Sequence, residues 1–284
     1  MLDAVPSGAS ASDAVRLTPE GVAGSFGEFR RGLKNQSQIV RALILRETRT
    51  RFGKHQLGYL WAFLEPCLFI LTFFLVYKFA NRRLPMGMDI ISFISTGLLP
   101  FQAFRSIANK TANSTKGGKA LLTYPNVKRI DLIISRFSLE AGTFATIFVV
   151  LLAVSSYFAP GRRVDDLLLV TGGFVLAVVF GGAFGVFLGG LSGLFPSVER
   201  VQQVVMRPLF WISGVFFTAN QLPPRARQYL LWNPALHVVE MIRDGFFESY
   251  SAHHLNIAYP AMCAIICAAV GLHLQRYAQT QEDS

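Results

Sequence analysis

Six apolar runs, each near or beyond the length of a bilayer crossing, divide this chain and leave most of its charge to the segments between them. A spanning helix takes about 20 mainly apolar residues, fewer where flanking polar groups reach the interface. The runs lie at about 57–79, 89–104, 133–158, 167–195, 201–217 and 255–274. Only 15% of residues are charged and 52% are hydrophobic, against the roughly 25% charged typical of a soluble domain. Mean hydropathy is +0.40. The expected fold is therefore an all-α membrane protein of six transmembrane helices. The net charge of +10 does not indicate nucleic acid, because the cations lie between apolar runs instead of forming one face of a soluble domain.

Lys and Arg are retained on the cytoplasmic side of a membrane, and the connections alternate accordingly. Nineteen fall on one side: the N-terminal region, the loop from Arg105 to Arg136, and Arg200, Arg207 and Arg276. Seven fall on the other: Arg82, Arg83, Arg162, Arg163, Arg225, Arg227 and Arg243, with Lys78 at a span end. Both termini are expected in the cytosol and the chain in the cytoplasmic membrane. Residues 1–28 are rich in Ala, Ser and Gly, lack the apolar core of a signal peptide and read as a disordered cytosolic tail to which no role is assigned. Residues 29–56 read as an amphipathic interface helix and 57–284 as the six-span domain.

Three segments outside the spans carry patterns of their own. From Ser37 to Arg51, Ile39, Val40, Leu43 and Ile44 recur at helical spacing beside Arg41, Arg46, Arg49 and Arg51, the pattern of a helix lying in the membrane surface. The loop after the second run carries seven cations and one acid, Asp131; a short helix over 109–122 broken at Gly117-Gly118, then the rigid Tyr124-Pro125 step, suits it to docking on another protein. Between the fifth and sixth runs a second amphipathic stretch puts Leu236, Val239, Ile242 and Phe246 on one face and His237, Glu240 and Asp244 on the other. It either re-enters the outer half of the bilayer, its polar face against water or protein, or lies flat on the outer surface.

Chemistry of the enzymatic kind is missing. No GxxxxGK[ST] phosphate loop exists, the nearest approach being Lys116-Gly117-Gly118-Lys119. Five histidines form no HExxH, and Cys67, Cys263 and Cys267 lie in apolar stretches as packing thiols. No catalytic residue, cofactor site or metal site is expected. Glu65 and Glu140 are the main ionisable groups within runs, a position that raises a functional question by default. Glu140 stands four residues after Arg136, the spacing of an intrahelical ion pair, and Trp61 lies one turn before Glu65 on the same face. The glycines of the fourth run allow close helix approach. Aromatic stripes occupy the first run (Phe69, Phe73, Tyr77), the fourth (Phe180, Phe184, Phe187) and the fifth (Phe210, Trp211, Phe216, Phe217). They face lipid or neighbouring helices, or line a pathway in which rings stack on sugar faces; Trp61, Glu65, Phe69, Phe73, Tyr77 and Trp211 are the pathway candidates.

The run Arg46-Glu47-Thr48-Arg49-Thr50-Arg51-Phe52-Gly53, then Leu57-Gly58-Tyr59-Leu60-Trp61-Ala62 and Glu65-Pro66, resembles the entry to the first span of type-2 ABC exporter permeases. Tyr124-Pro125, Pro223-Pro224, and Trp232-Asn233-Pro234-Ala235-Leu236-His237 through Arg243-Asp244-Gly245-Phe246-Phe247 and Tyr250 are similar to later landmarks of that family. Within it the chain looks most like capsular polysaccharide export permeases, with O-antigen and teichoic acid exporters as relatives. The resemblance implies a homodimer carrying two copies of a separate cytosolic ABC ATPase, which binds the ATP and magnesium, and periplasmic and outer-membrane export proteins beyond. It implies that Lys119, Tyr124, Pro125, Lys128 and Arg129 couple to the ATPase, flanked by the interface helix. It further implies that the segment with Trp232, His237, Glu240, Arg243 and Asp244 borders the exit for a lipid-ended acidic glycan. Exporters of small drugs or lipids share that architecture. A membrane enzyme on lipid-linked sugars would need clustered Asp, His or Arg at one face, and the sequence has none.

Overall fold

The computed structural model describes residues 19–52, 57–80, 84, 88–158 and 164–283, and among these every regular element is helical. The long helices are α1 (Pro19–Phe52), α2 (Leu57–Phe79), α3 (Ile90–Ala112), α5 (Arg129–Phe158), α6 (Leu167–Leu194) and α10 (Ala258–Asp283). Shorter ones are α4 (Ser114–Gly117), α7 (Val198–Ile212), α8 (Pro224–Leu230) and α9 (Pro234–Phe246). Local chemistry sets several ends. Asp89 and Asp166 cap α3 and α6 by accepting from the amides of Ser92 and Leu169 at 2.8 and 3.0 Å. Pro224 and Pro234 open α8 and α9, where a missing N–H costs nothing. Phe195 precedes Pro196 and is extended (φ −129°, ψ 96°), ending α6.

Among the described residues, five helical stretches are long and apolar enough to cross a membrane: Trp61–Phe79, Ile90–Ala112, Arg129–Val154, Leu167–Leu194 and Ala258–Gln281. The second outruns its expected end at Phe104 by eight residues, because nothing from Arg105 to Ala112 breaks a helix. The run expected over 201–217 divides: α7 has 15 residues, short of the about 20 a crossing needs. Its end is set by Gly214, whose φ of +76° takes the chain out of the helix. α1 begins at Pro19, before the expected boundary at residue 29, while residues 1–18 of the expected tail and 53–56 of the expected interface helix lie outside the described residues.

α6 is the hub, packing on α3, α9 and α10. Its glycines set the distance. A Cβ at Gly181 would lie 2.8 Å from the Phe104 carbonyl oxygen, at Gly185 2.7 Å from that of Ala108, and at Gly189 3.1 Å from that of Ala112. Both series step by four residues, so one small-residue ridge of α6 runs along one ridge of α3. On another face, a Cβ at Gly190 would approach the Gly271 oxygen of α10 to 2.8 Å, and one at Gly182 would strike the Phe137 ring of α5. Lipid gives apolar side chains no reason to leave it, so close packing of this kind holds membrane helices together. Burial ranks the spans: 72% of α3's apolar window is buried against 17% for α2 and for α10. α3 is thus the core, and α2 and α10 show most of their surface outward.

Candidate functional site

The expected docking residues gather at one end of the bundle. α1 lies along α5, where Gln36 donates to the buried Asp131 carboxylate at 2.7 Å and Glu47 sits 3.6 Å from Arg136. Arg136 also donates to the Asn113 carbonyl at 3.0 Å, and Glu140 accepts from Ser106 Oγ at 3.4 Å. Arg41, Arg46 and Arg49 are exposed on α1; Arg46 and Arg49 line an open groove with Leu45, and the side chain of Arg51 lies outside the described residues. The basic loop folds as α4, then a single 3-10 turn, Lys119–Leu121, on the far side of Gly117-Gly118. These glycines bring α5 close: a Cβ at Gly118 would lie 2.6 Å from a Leu132 methyl and one at Gly117 2.7 Å from the Arg136 guanidinium. Lys119, Tyr124, Pro125 and Lys128 are exposed, Tyr124 at 63%, and Arg129 is half-buried at the start of α5. Asp131 accepts from the Lys128 amide at 2.9 Å, fixing the return into α5. Two contacts tie this end to the foot of α7: Lys116 bridges Glu199, and Gln202 donates to Asn109.

The opposite end is organised by α9, which is buried on nearly every face. Arg243, 0% exposed, donates to the carbonyls of Gly214, Val215, Phe217 and Phe93, and its guanidinium lies 4.0 Å from the centre of the Phe93 ring. Gly97 makes room for it, since a Cβ there would stand 2.7 Å from Nη2. Glu240 lies 3.8 Å from Arg243 and accepts from the Ala219 amide at 3.2 Å and from the Tyr250 hydroxyl. Burial pushes the Glu240 carboxyl above the usual carboxylate range and outweighs the opposing pull of Arg243. His237 Nε2 lies 2.9 Å from the Leu231 carbonyl, which places the proton there and leaves Nδ1 to accept from the Asn256 amide at 3.3 Å. Burial holds this imidazole below its ordinary pKa. Asp244 accepts from the Ala252 amide at 2.9 Å. Of the five residues expected at this end, Trp232 is open, at 79% exposure, while His237, Glu240 and Arg243 turn into the protein, where Arg243 and Glu240 clamp the segment after α7.

The pathway candidates separate as well. Trp61, Glu65 and Phe69 are exposed on α2, and Glu65 and Phe69 border a cleft shared with α3 and α5. Phe73 is half-buried and its ring stands 4.4 Å from that of Phe216. Tyr77 is buried, and its hydroxyl donates to the Phe216 carbonyl at 2.8 Å. Trp211, 58% exposed, lies 5.0 Å from Phe216. Residue patterns did not single out Tyr250, Gly97, Gly214, Gln102 or Asn109 for a role. The i, i+3 spacing of Glu240 and Arg243 was the one local signal of the clamp, but the four carbonyls come from segments up to 150 residues away.

A family model described as ABC-2 type transporter matches residues 38–247. The polysialic acid transport protein KpsM of Escherichia coli is 32% identical over 247 residues, covering 87% of this chain and 96% of that protein. The capsule polysaccharide export inner-membrane protein CtrC of Neisseria meningitidis serogroup B is 27% identical over 244 residues, and BexB of Haemophilus influenzae, described in the same words, is 28% identical over 249. Each of these two alignments covers 86% of this chain and 92% of the relative.

Proposed function

The chain belongs to the ABC-2 type transporter family, and from that premise we propose that it is the membrane-spanning permease subunit of an ATP-driven exporter of capsular polysaccharide. The observation that carries the reading is the near full-length similarity to relatives named for polysialic acid transport and capsule polysaccharide export. The cargo is a lipid-ended acidic glycan, moved outward across the inner membrane. Two copies of the permease form the membrane unit, and two copies of a cytosolic ABC ATPase bind the ATP and magnesium and supply the work.

In this reading the basic end faces the cytosol together with both termini. Exposed Lys119, Tyr124, Pro125 and Lys128, with half-buried Arg129, fit a groove of the ATPase, and the arginines of α1 flank it on the membrane surface. α7 and the turn after it make the fifth of six crossings, and α8 and α9 re-enter from the outside. Movement of the loop reaches α7 through Lys116–Glu199 and Asn109–Gln202. At the other end of α7 the 213–218 turn moves with α9, because Arg243 fastens them together. Arg243 and Glu240 shape the exit by positioning this turn, His237 and Asp244 by fixing the segments at Leu231, Asn256 and Ala252, and Trp232 is the open residue at its border. Trp61, Phe69, Phe73 and Trp211 offer ring faces to sugars, Glu65 offers a carboxyl, and Tyr77 holds the turn. Periplasmic and outer-membrane proteins take the glycan onward.

Deletion of the gene, with acidic polysaccharide assayed separately in the cytosol and on the cell surface, tests the function. Loss from the surface with accumulation inside is expected. Normal surface polysaccharide would turn the reading to a drug or lipid exporter, and loss from both places to an enzyme of glycan synthesis.

A further inference from the structure

α1 has two unlike faces. Gln36, Ile39, Val40, Leu43, Ile44 and Glu47 turn toward the bundle, Leu43 the most buried of them. Two polar ties seat this face on the first two turns of α5: Gln36 on Asp131 and Glu47 against Arg136. Those turns are where α5 begins its apolar stretch. Glu47 is the one acid between Arg30 and Phe52, and it turns inward. The outward face carries Lys34, Arg41, Arg46 and Arg49, all exposed, and none of the four has an ion-pair partner among the described residues. Leu33 and Leu45 stand among them at 54% and 52% exposure. From residue 33 to residue 49 this makes a stripe of about 24 Å in which cations and large apolar side chains are interleaved and no acid intervenes. A folded protein would have to supply acids in register along all of it. A leaflet of anionic phospholipid supplies phosphate at every position and hydrocarbon just beneath. One place in the stripe is shaped: Ala42, Arg46 and Thr50 form one ridge, Leu45 and Arg49 the next, with an open groove along them. Arg46 and Arg49 are three residues apart, so their guanidinium groups are placed to converge on one anion. Thr50 keeps its hydroxyl on the Arg46 carbonyl at 2.9 Å, and Ala42 leaves the groove clear.

We propose that this groove binds the phosphate of an anionic phospholipid of the surrounding leaflet, with the guanidinium groups of Arg46 and Arg49 on the phosphate oxygens and Leu45 against the upper methylenes of an acyl chain. A headgroup of net negative charge is preferred, because Arg41, Arg46 and Arg49 together repel the ammonium of a zwitterionic one. The site rests on the export reading for the leaflet it faces, the cytosolic one. It also bears on the coupling loop. Asp131 accepts from Gln36 of α1 at 2.7 Å and from the Lys128 amide at 2.9 Å, so one carboxylate joins the seat of α1 to the end of the loop. Lipid that holds α1 on the membrane thereby steadies the loop residues that dock on the ATPase.

The test uses the permease–ATPase complex, free of glycan, in phosphatidylcholine nanodiscs doped with a phosphatidylglycerol that carries a photoreactive diazirine at the top of one acyl chain. Label is expected on the peptide holding residues 42–50. Unlabelled phosphatidylglycerol should compete and added phosphatidylcholine should not. Labelling should fall roughly tenfold or more in Arg46→Gln/Arg49→Gln, since each basic side chain at an anionic surface contributes about fivefold. It should fall less in Arg46→Lys/Arg49→Lys, which keeps the charge without the paired N–H groups. ATP turnover should rise with the phosphatidylglycerol fraction in the wild type and stay flat in the glutamine variant. Equal competition by phosphatidylcholine, or undiminished labelling of the glutamine variant, would overturn the site, and a flat wild-type turnover would overturn its link to the loop. A glutamine variant that loses the ATPase but keeps its label assigns the face to the ATPase and overturns the site as well. Should that variant fail to insert, competition in the wild type decides alone. The deletion strain keeps the two readings apart. Normal surface polysaccharide with intact, charge-selective labelling removes export and leaves the lipid site. Lost surface polysaccharide with undiminished labelling of the glutamine variant removes the site and leaves export.

Discussion

Replacing Arg243 by Met keeps the length and most of the apolar volume of the side chain but withdraws every hydrogen bond it gives to Gly214, Val215, Phe217 and Phe93. Three of those carbonyls belong to the turn after α7, where no helical ladder takes over, and the Arg243 guanidinium is fully buried, so water does not replace it cheaply. Each buried group left without a partner costs about 1–3 kcal/mol. Glu240 also loses the cation 3.8 Å away, and breaking a buried pair from one side costs about 3–5 kcal/mol. These penalties overlap, and we take about 3–5 kcal/mol for the whole. For a chain of this size that is a fall in Tm of roughly 6–20 °C. The assay is a melt of the purified protein in detergent, followed by cysteine accessibility in the 213–218 turn at a temperature where the fold persists. The variant should melt lower and expose the turn, whereas Glu240→Gln, whose one carbonyl oxygen still accepts from the Ala219 amide while its NH2 group donates to the Tyr250 hydroxyl oxygen, should fall between it and the wild type. An Arg243→Met protein that melts with the wild type and keeps its turn closed would refute the clamp.

Gly185→Leu puts a branched side chain where a Cβ alone already lies 2.7 Å from the Ala108 oxygen; with backbone on both sides α3 and α6 must separate, and a loss of about 1–3 kcal/mol is expected, checked by thermal melt against Gly142→Leu, where a Cβ meets nothing within 4 Å. Charge reversal of Lys128 and Arg129 to Glu should abolish co-purification with the ATPase while leaving membrane insertion intact, since an acid in the first turn of α5 suits the helix dipole; unchanged co-purification would sink the docking assignment. Lys116→Ala breaks an exposed bridge worth under about 1 kcal/mol, so the melt should not move, but ATP turnover should no longer respond to glycan if this bridge carries loop motion to α7.

Spans and packing differ in how far the residues alone reveal them. The glycines of α6 announce close approach by composition, and the structure pairs them with Phe104, Ala108 and Ala112 of α3. Charge misplaces the end of α3: Arg105 and Lys110 read as the edge of a span, yet the helix continues beneath them to Ala112 and Arg105 opens onto the polar cleft. Apolarity likewise extends the fifth run to Phe217, although the backbone leaves the helix after Ile212 and turns at Gly214. Arg243 counts in the sequence as one more loop cation. Its place at the centre of a buried network depends on acceptors from α3 and from the turn after α7, which pattern within a single segment does not register. Exposed Tyr124 and Lys128 were legible because loop composition and exposure coincide there.

ATP-driven movement of glycan through this chain is tested most directly in inverted inner-membrane vesicles holding the permease and its ATPase, with radiolabelled acidic polysaccharide bearing its lipid end supplied outside. The account predicts polysaccharide protected within the vesicle lumen only when ATP is present, and none with Lys128 and Arg129 reversed in charge. Equal protection without ATP, or none in complete vesicles that still hydrolyse ATP, would contradict it.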